Sequence, residues 1–359
     1  MNIGVLSYYR TNKLNKKSNK EQGVVENSLK SWDSFVKEAE NNFLYFDDYN
    51  QKRHKDFDQI LIIEIPRIWE LFSILLNNLT KKKLRRVLVL AETNLSRNRL
   101  LLNIPFLFDL ICVNTEEENY KFLFYKTKTY HYPSLPDPND ISKYKNIILN
   151  NKRKNKICFI SSFKIAFTRN STYLYRYRLI KSLCKFPNNF EMYGYGWDKS
   201  QIPIDIPLKA IIRRIPSLRL IILFLSNIFF KPIDKKKSVI SKFNTLKNFD
   251  FSLTMDPFLG RPYAIFEKLF DPMLSGSIPI YLGPKNLNHI PNDCYIRISR
   301  NENANSIIEN TINSLTSKEK EEYRKRIYKF LVSKKADRYR HSYHNDFLIK
   351  VLINQSSKF

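Results

Sequence analysis

The sequence predicts an α/β protein built as two tandem units, each a parallel sheet with helices on its faces. Three observations carry this. The chain has 359 residues, more than one compact domain ordinarily takes. Short apolar runs of buried-strand type alternate with segments of helical period, the pattern of a parallel sheet whose crossovers are helices. That rhythm stops at a stretch rich in Pro and Asp, YHYPSLPDPND (130–140), and then restarts.

The first unit, residues 1–150, offers NIGVLSY (2–8), QILIIEI (59–65), RVLVLA (86–91) and FDLICV (108–113) as strands. Trp32 to Val36 and Ile68 to Leu76 supply helical segments among them. The second unit, residues 151–359, follows the basic stretch NNKRKNK (150–156). It offers ICFISS (157–162), a helix over Tyr173 to Leu183, FEMYGYG (190–196) as strand and turn, FDFSLTM (249–255), SIPIYLG (277–283) and YIRIS (295–299). From Ser317 to Leu352 the tail has helical period, with Tyr323, Ile327, Phe330 and Leu331 on one face. The segment LKAIIRRIPSLRLIILFLSNIFFKP (208–232) mixes Arg with apolar residues. Its longest apolar run, Leu220 to Leu225, is far below the ~20 residues of a spanning helix. It reads either as a helix buried between domains or as an interfacial helix with Arg213, Arg214 and Arg219 towards lipid headgroups.

With 43% hydrophobic and 14% aromatic residues, general disorder is excluded. The 61 Lys and Arg against 34 Asp and Glu give a net charge of +27. That field attracts nucleic acid, anionic lipid or phosphorylated small molecules. Cys112, Cys158, Cys184 and Cys294 form no C-x-x-C pair, so neither a zinc site nor a disulfide framework is indicated, and a reducing cytoplasm fits. The apolar run at the N-terminus is too short for a signal peptide.

A D-x-D at Asp56 and Asp58 has the spacing of a carboxylate pair for a divalent cation, but it precedes its strand. Ligands in open α/β sheets lie beyond the strands' carboxyl ends, so it reads as a solvated turn. There is no G-x-G-x-x-G, Walker A loop or G-x-S-x-G. His54, His131, His289, His341 and His344 are scattered in polar contexts.

Glu92 follows RVLVLA directly, where a carboxylate can act as general base; the alternative is an ordinary loop charge. Arg176, in TYLYRYRLIKSL, enters a helix after a strand, where a guanidinium can grip a diphosphate bidentately. Arg178 is its solvent-facing competitor. Phe266, Leu269, Phe270, Met273 and Leu274 form an apolar helix face, with Glu267 and Lys268 on the first turn and partly off that face. A helix N-terminus attracts anions; the Lys adds charge for phosphate and the Glu can accept from sugar hydroxyls. The bland reading of the pair is a solvated ion pair at a helix start.

These residues resemble the signature of the inverting α-1,3/4-fucosyltransferases (glycosyltransferase family 10). E-K-L-F-D-P-M-L-S-G-S-I-P-I-Y-L-G (267–283) follows the family's E-K-L/I-x-x-A-x-x-A/S-G-x-x-P-V/I-Y-x-G, and I-P-N-D-C-Y-I (290–296) resembles its continuation. SVISKFNTLKNFDFSLTMD (238–256) resembles the segment ending in the family's F-E-N. YGYGW (193–197) resembles its Y-G-x-G-W turn, RYRLIKSL (176–183) its phosphate-binding helix, and LAETN…FDLICVN (90–114) its acceptor segment. The resemblance runs from about residue 87 to 299.

It implies a GT-B fold, two Rossmann-like domains facing across a cleft, the N-terminal one for acceptor and the C-terminal one for donor. GDP-fucose would be the donor, with no metal required, and an N-acetylglucosamine-type sugar in a surface glycan such as lipopolysaccharide the acceptor. Glu92 would be the general base; Arg176 and Lys268 would hold the diphosphate and Glu267 would contact donor hydroxyls. Asp256, standing for the family's Glu, and Tyr193 complete the donor set. The chain departs from the family pattern at Ala264 and Phe266, with Tyr263 one position early, and at Met255-Asp256-Pro257, where an Asn is lost. Pro272 inside the helix predicts two short helical pieces. The expected protein is cytoplasmic, peripheral on the inner face of an anionic membrane, with a glycan or glycolipid acceptor. A basic nucleic-acid-binding protein, a relative using another nucleotide sugar and an inactive sugar-binding relative are the rival readings. Nucleic acid is not the expected partner, because basic residues are spread over the chain and no RRM, KH or zinc signature is present.

Overall fold

The computed structural model describes residues 1–7, 35–49, 52–64, 68–81, 83–90, 102–164, 170–197, 241–260, 264–265, 267–285 and 287–353, with isolated positions between 217 and 239. The chain divides into two compact units. The first comprises Met1–Pro133, Arg261–Ala264 and Arg338–Phe359; the second comprises Ser134–Gly260 and Ile265–Asp337.

The first unit holds a six-stranded sheet in the order β2-β1-β3-β4-β5-β6. Its strands are β1 (Asn2–Ser7), β2 (Tyr45–Asp48), β3 (Gln59–Ile63), β4 (Arg85–Leu90), β5 (Leu110–Asn114) and β6 (Thr127–Tyr130). All pairs are parallel. The central strands are apolar along their length because both faces are covered. Helix α1 (Ile68–Thr80) lays Leu71 and Ile74 against Ile60, Ile62, Leu88 and Ile111. The C-terminal helix His341–Ile353 covers the other face, with Leu348, Ile349 and Leu352 against Ile3, Leu61 and Val87.

The second unit holds a five-stranded parallel sheet in the order β11-β10-β9-β7-β8. Its strands are β7 (Lys154–Ile160), β8 (Phe190–Tyr193), β9 (Phe249–Met255), β10 (Ile278–Leu282) and β11 (Ile296–Arg297). The helices that matter below are α2 (Lys145–Asn150), α3 (Tyr173–Leu183), α4 (Lys242–Leu246), α5 (Glu267–Ser275) and α6 (Ser317–Leu331). Helix α3 buries Tyr177, Ile180 and Leu183 in one core with Ile157, Phe251, Leu253 and Ile280. Helix α5 buries Leu269, Phe270 and Met273 and packs on β9 and β10.

Three expectations are corrected. The units part at Pro133 and Ser134, earlier than 150/151, because α2 packs on α5 and α6 of the second unit. The helical tail is two helices belonging to different units. Gln59 Nε2 donates to the Leu352 carbonyl at 3.3 Å and the Arg85 guanidinium to that of Val351 at 3.3 Å, which fixes the last helix on the first sheet. Pro272 does not split α5, which runs unbroken from Glu267 to Ser275. It lies only one turn from the helix start, so the single bond it deletes is the one to the Lys268 carbonyl. At the far end Gly276, at φ 73°, stops the helix in the left-handed conformation that glycine tolerates.

In the 208–232 segment Leu220, Ile221 and Phe224 are helical and exposed; most of the segment, and with it the choice between a buried and an interfacial helix, lies outside the described residues. Among the described residues no helix is long and apolar enough to cross a membrane.

Candidate functional site

In the second sheet the chain enters at β7, steps outward to β8, and returns to the other side of β7 as β9. The order therefore reverses between β7 and β9, and the carboxyl ends of those strands form the crevice where open α/β sheets bind ligands. A small cavity opens there, lined by Ile160 at the end of β7 and Ser161 just past it, Thr254 and Met255 at the end of β9, and Arg176, Lys242, Lys268 and Asp271.

Arg176 is held in place before any ligand arrives. Its residue is 2% exposed. Nη1 donates to Ser161 Oγ at 3.1 Å, Nη2 to the Ser162 carbonyl at 3.2 Å, and the guanidinium lies 4.4 Å from the Tyr173 ring centre. Burial pulls its pKa down to about 10, against a small opposing effect of Tyr173, so it stays charged at neutral pH. Arg178 is exposed.

The Ser161–Ser162 loop is itself braced by the turn after β8. The Ser161 amide donates to the Tyr193 carbonyl at 3.1 Å, and Trp197 Nε1 donates to the Ser161 carbonyl at 2.7 Å. Gly194 has φ 137°, and a Cβ there would fall 2.0 Å from the Ser161 carbonyl oxygen. The Y-G-x-G-W turn thus demands glycine and serves Arg176 through its backbone.

Lys268 lies on the first turn of α5 and shares the cavity with Arg176. Burial lowers its pKa; Glu267 and Asp256 oppose this, while Arg176 and Lys164 push the same way as burial. Glu267 does not line the cavity. Its carboxylate is 3.9 Å from Lys242 Nζ, which is also 3.1 Å from Asp271 Oδ2. Burial would lower the Lys242 pKa, but the Asp271 and Glu267 carboxylates outweigh it and the net direction is upward. Burial pushes Asp271 up in spite of Lys242; the 3.1 Å separation nonetheless fits an ion pair.

Two of the expected donor residues are engaged in hydrogen bonds within the chain. Asp256 has no exposed surface, and its carboxylate accepts from the Tyr281 hydroxyl. Its carbonyl accepts from Thr172 Oγ1 at 2.5 Å and its amide donates to the Leu282 carbonyl at 2.9 Å, so it braces the strand end beneath the cavity. Tyr193 donates to Glu191 Oε2 at 2.9 Å, because residues two apart on a strand share a face. Glu92, Phe266 and Tyr263 lie outside the described residues. Ala264 is buried.

In the first unit the D-x-D is a turn: Asp58 Oδ2 accepts from the Asn2 amide at 2.8 Å and Asp56 pairs with Arg53 at 3.4 Å. Two carboxylates that the sequence reading passed over lie past strand ends. Glu64 follows β3 with φ 60°, buried, its amide donating to the Val89 carbonyl at 2.9 Å. Glu116 follows β5, accepts from the Tyr339 hydroxyl at 2.8 Å and lies 3.1 Å from His131 Nδ1. The rule that singled out Glu92, a carboxylate just past an apolar strand, also finds Glu64.

No family model matches the sequence, and no curated protein does. Solved structures do. An α1,3-fucosyltransferase is similar over 99% of this chain and 90% of its own, at 13% identity and a TM-score of 0.52. An α-glucosyltransferase in complex with UDP is similar over 99% of this chain and 100% of its own, at 13% identity and a TM-score of 0.53. At such identity the likeness is one of fold. The two parallel sheets of this chain have the GT-B architecture of glycosyltransferases.

Proposed function

We propose that the protein is a glycosyltransferase that takes its donor, a nucleoside diphosphate sugar, on the second unit, with the first unit serving the acceptor. The observation that carries this is the pair Arg176 and Lys268, two cations on one cavity at the reversal point of the sheet. In the finer reading the donor is GDP-fucose, moved with inversion to a hydroxyl of an N-acetylglucosamine-type sugar in a surface glycan. The 267–283 signature supports it. Glu92 takes the acceptor proton, the acceptor oxygen bonds to the anomeric carbon, and the bond to the β-phosphate breaks with its electron pair leaving on the diphosphate. Arg176 and Lys268 stabilise that charge where it develops, a role two fixed cations fill with no metal ion. A glycolipid acceptor at an anionic membrane accords with the +27 charge and with exposed Leu220, Ile221 and Phe224.

The second reading, a UDP-sugar donor, is favoured by the UDP complex of the similar α-glucosyltransferase. A thermal-shift panel of GDP-fucose, GDP-mannose, UDP-sugars and CMP-sialic acid decides. Stabilisation by GDP sugars is expected; stabilisation by a UDP sugar alone overturns the donor. Glu92→Gln is expected to bind donor and lose turnover, and full turnover in that variant removes Glu92 as base.

A further inference from the structure

Helix α1 is apolar around most of its circumference, the composition of a helix covered on both sides. Leu71 and Ile74 face the sheet and are buried. Phe72, Leu76 and Leu79 form a second stripe at i, i+4 and i+7, and they are 68%, 61% and 85% exposed. Single exposed leucines need no explanation, but an aligned row of large apolar side chains marks a surface meant to be covered.

The stripe continues in the loops of the same layer. Leu102, Leu107 and Tyr125 share the buried cluster of Leu71 and Ile74, and the Tyr125 hydroxyl donates to the Ile104 carbonyl, tying the two loops together. These loops end in Phe106 and Leu123, 81% and 88% exposed. Phe106 has φ 66°, a left-handed conformation that strains a bulky residue. Its outward ring offsets little of that strain by packing within the chain.

Charge identifies what covers this face. Lys81, Lys82 and Lys83 follow the stripe directly. Asn78 holds the chain after the helix: it donates to the Leu84 carbonyl at 2.9 Å and accepts from its amide at 3.2 Å. Lys81, Lys83, Lys121 and Lys126 are exposed. The acids in these stretches of chain are Glu70, Asp109, Glu116, Glu117 and Glu118; Asp109 pairs with Arg86 at 3.0 Å, Glu116 lies 3.1 Å from His131, and Glu118 is 3.7 Å from Arg338. A second copy of a +27 chain would bring lysines against lysines. We infer that the outer face of α1, with the Phe106 and Leu123 loop tips, is a docking surface for an anionic lipid bilayer. The apolar side chains enter the boundary between headgroups and acyl chains, and the lysine stems reach back to the phosphates. The surface is independent of the donor reading and distinct from the 208–232 segment.

The test places an environment-sensitive fluorophore at Leu79→Cys, in the full chain with the partly buried Cys184 replaced by Ser. With vesicles containing about 30% phosphatidylglycerol its emission is expected to rise and shift to the blue, with pure phosphatidylcholine not, and at about 0.5 M salt the effect is expected to fade. In flotation assays Phe72→Ser/Leu76→Ser is expected to lose at least about tenfold in bound fraction, and each of Lys81→Gln and Lys83→Gln about fivefold. The melting temperature of the double variant should hold, since both side chains are exposed; if it does not, the label in the otherwise intact chain carries the test. An unshifted label, or undiminished flotation of the double variant, overturns the proposal. A dimer in sedimentation that Phe72→Ser/Leu76→Ser dissolves would assign the face to a second copy and overturn it equally.

Discussion

Helix α5 has cations at both ends, and the two ends are not alike. At its C-terminus Arg153 Nη2 donates to the Ser275 carbonyl at 3.2 Å and to that of Ile148 at 3.3 Å, and Arg324 Nε donates to that of Gly276 at 3.2 Å. Arg324 also pairs with Asp250, as does Lys320 at 3.3 Å. These cations meet the negative ends of α5 and α2, where orphan carbonyls need donors. At the N-terminus Lys268 and, through Glu267 and Asp271, Lys242 meet the positive end of the same helix. There the dipole and Arg176 both oppose a cation. The first cluster stabilises the fold; the second is stable only because carboxylates offset it in part, and an anionic ligand would complete the offset. Surplus positive charge on the unfavourable helix end supports the proposed donor site more sharply than either lysine does alone.

The largest effect is expected at the closed end. Arg324→Ala leaves Asp250 with Lys320 alone and orphans the Gly276 carbonyl, so chemical denaturation should report a loss of about 3 kcal/mol or more. Nucleotide binding by the folded fraction should stay within twofold. An Arg324→Ala protein as stable as the parent would show that the buried network contributes nothing.

At the open end the sign reverses. Lys268→Ala should weaken nucleotide diphosphate binding by about 10–100-fold, the range of one charge-assisted hydrogen bond, while leaving the melting temperature unchanged or raised. Loss of stability with intact binding would make Lys268 a structural residue and erase the contrast between the two ends. Arg176→Lys is the gentler companion, because Arg176 is buried and its truncation would mix folding with binding.

This contrast also explains what the sequence made legible. Central strand segments such as VLVL (87–90) read clearly, because burial on both faces makes them continuously apolar. The edge strands YFDD (45–48) and TKTY (127–130) did not, since one side meets solvent and four residues carry little period. The last helix joins the first unit through Gln59 and Arg85, contacts that no local pattern announces. Arg176 stands out in the sequence where a helix follows a strand, and Lys268 at a helix start within the 267–283 signature; the fold brings both to one cavity. Lys242 escapes a reading of the sequence because it is only the last lysine of KKKSVISK (235–242), and only the fold brings it to Asp271. The turn at Gly194 was read correctly as a motif. The tyrosine before it was given a ligand role that the strand pleat hands to Glu191.

Lys242 offers a smaller, more diagnostic test. Lys242→Met removes the counter-ion of Asp271 and Glu267, and their freed charge falls on the place where the diphosphate would bind. Affinity should drop by about fivefold, one charge at partly screened distance. Adding Asp271→Asn should restore most of it, because the neutral amide no longer repels the ligand. If the double variant binds no better than Lys242→Met, the lysine acts through packing and not through charge.

The smallest effect is a fraction of a proton. Burial and Arg176 place the Lys268 pKa below the ordinary lysine value, and a bound diphosphate would favour the ammonium and raise it. Between the two values binding must take up a proton, so affinity falls as pH rises through the lower one. Below it this group imposes no pH dependence. Stability responds with the opposite sign. The unfolded chain holds this proton to about pH 10.4, so through the same window the native state gains stability as pH rises. Calorimetric titration of GDP at a series of pH values below the ordinary lysine pKa, in buffers of different ionisation enthalpy, should show uptake of less than one proton. The uptake should vanish in Lys268→Met. Uptake that persists in that variant would move the titrating group away from the head of α5, and with it the argument that this end of the helix waits for an anion.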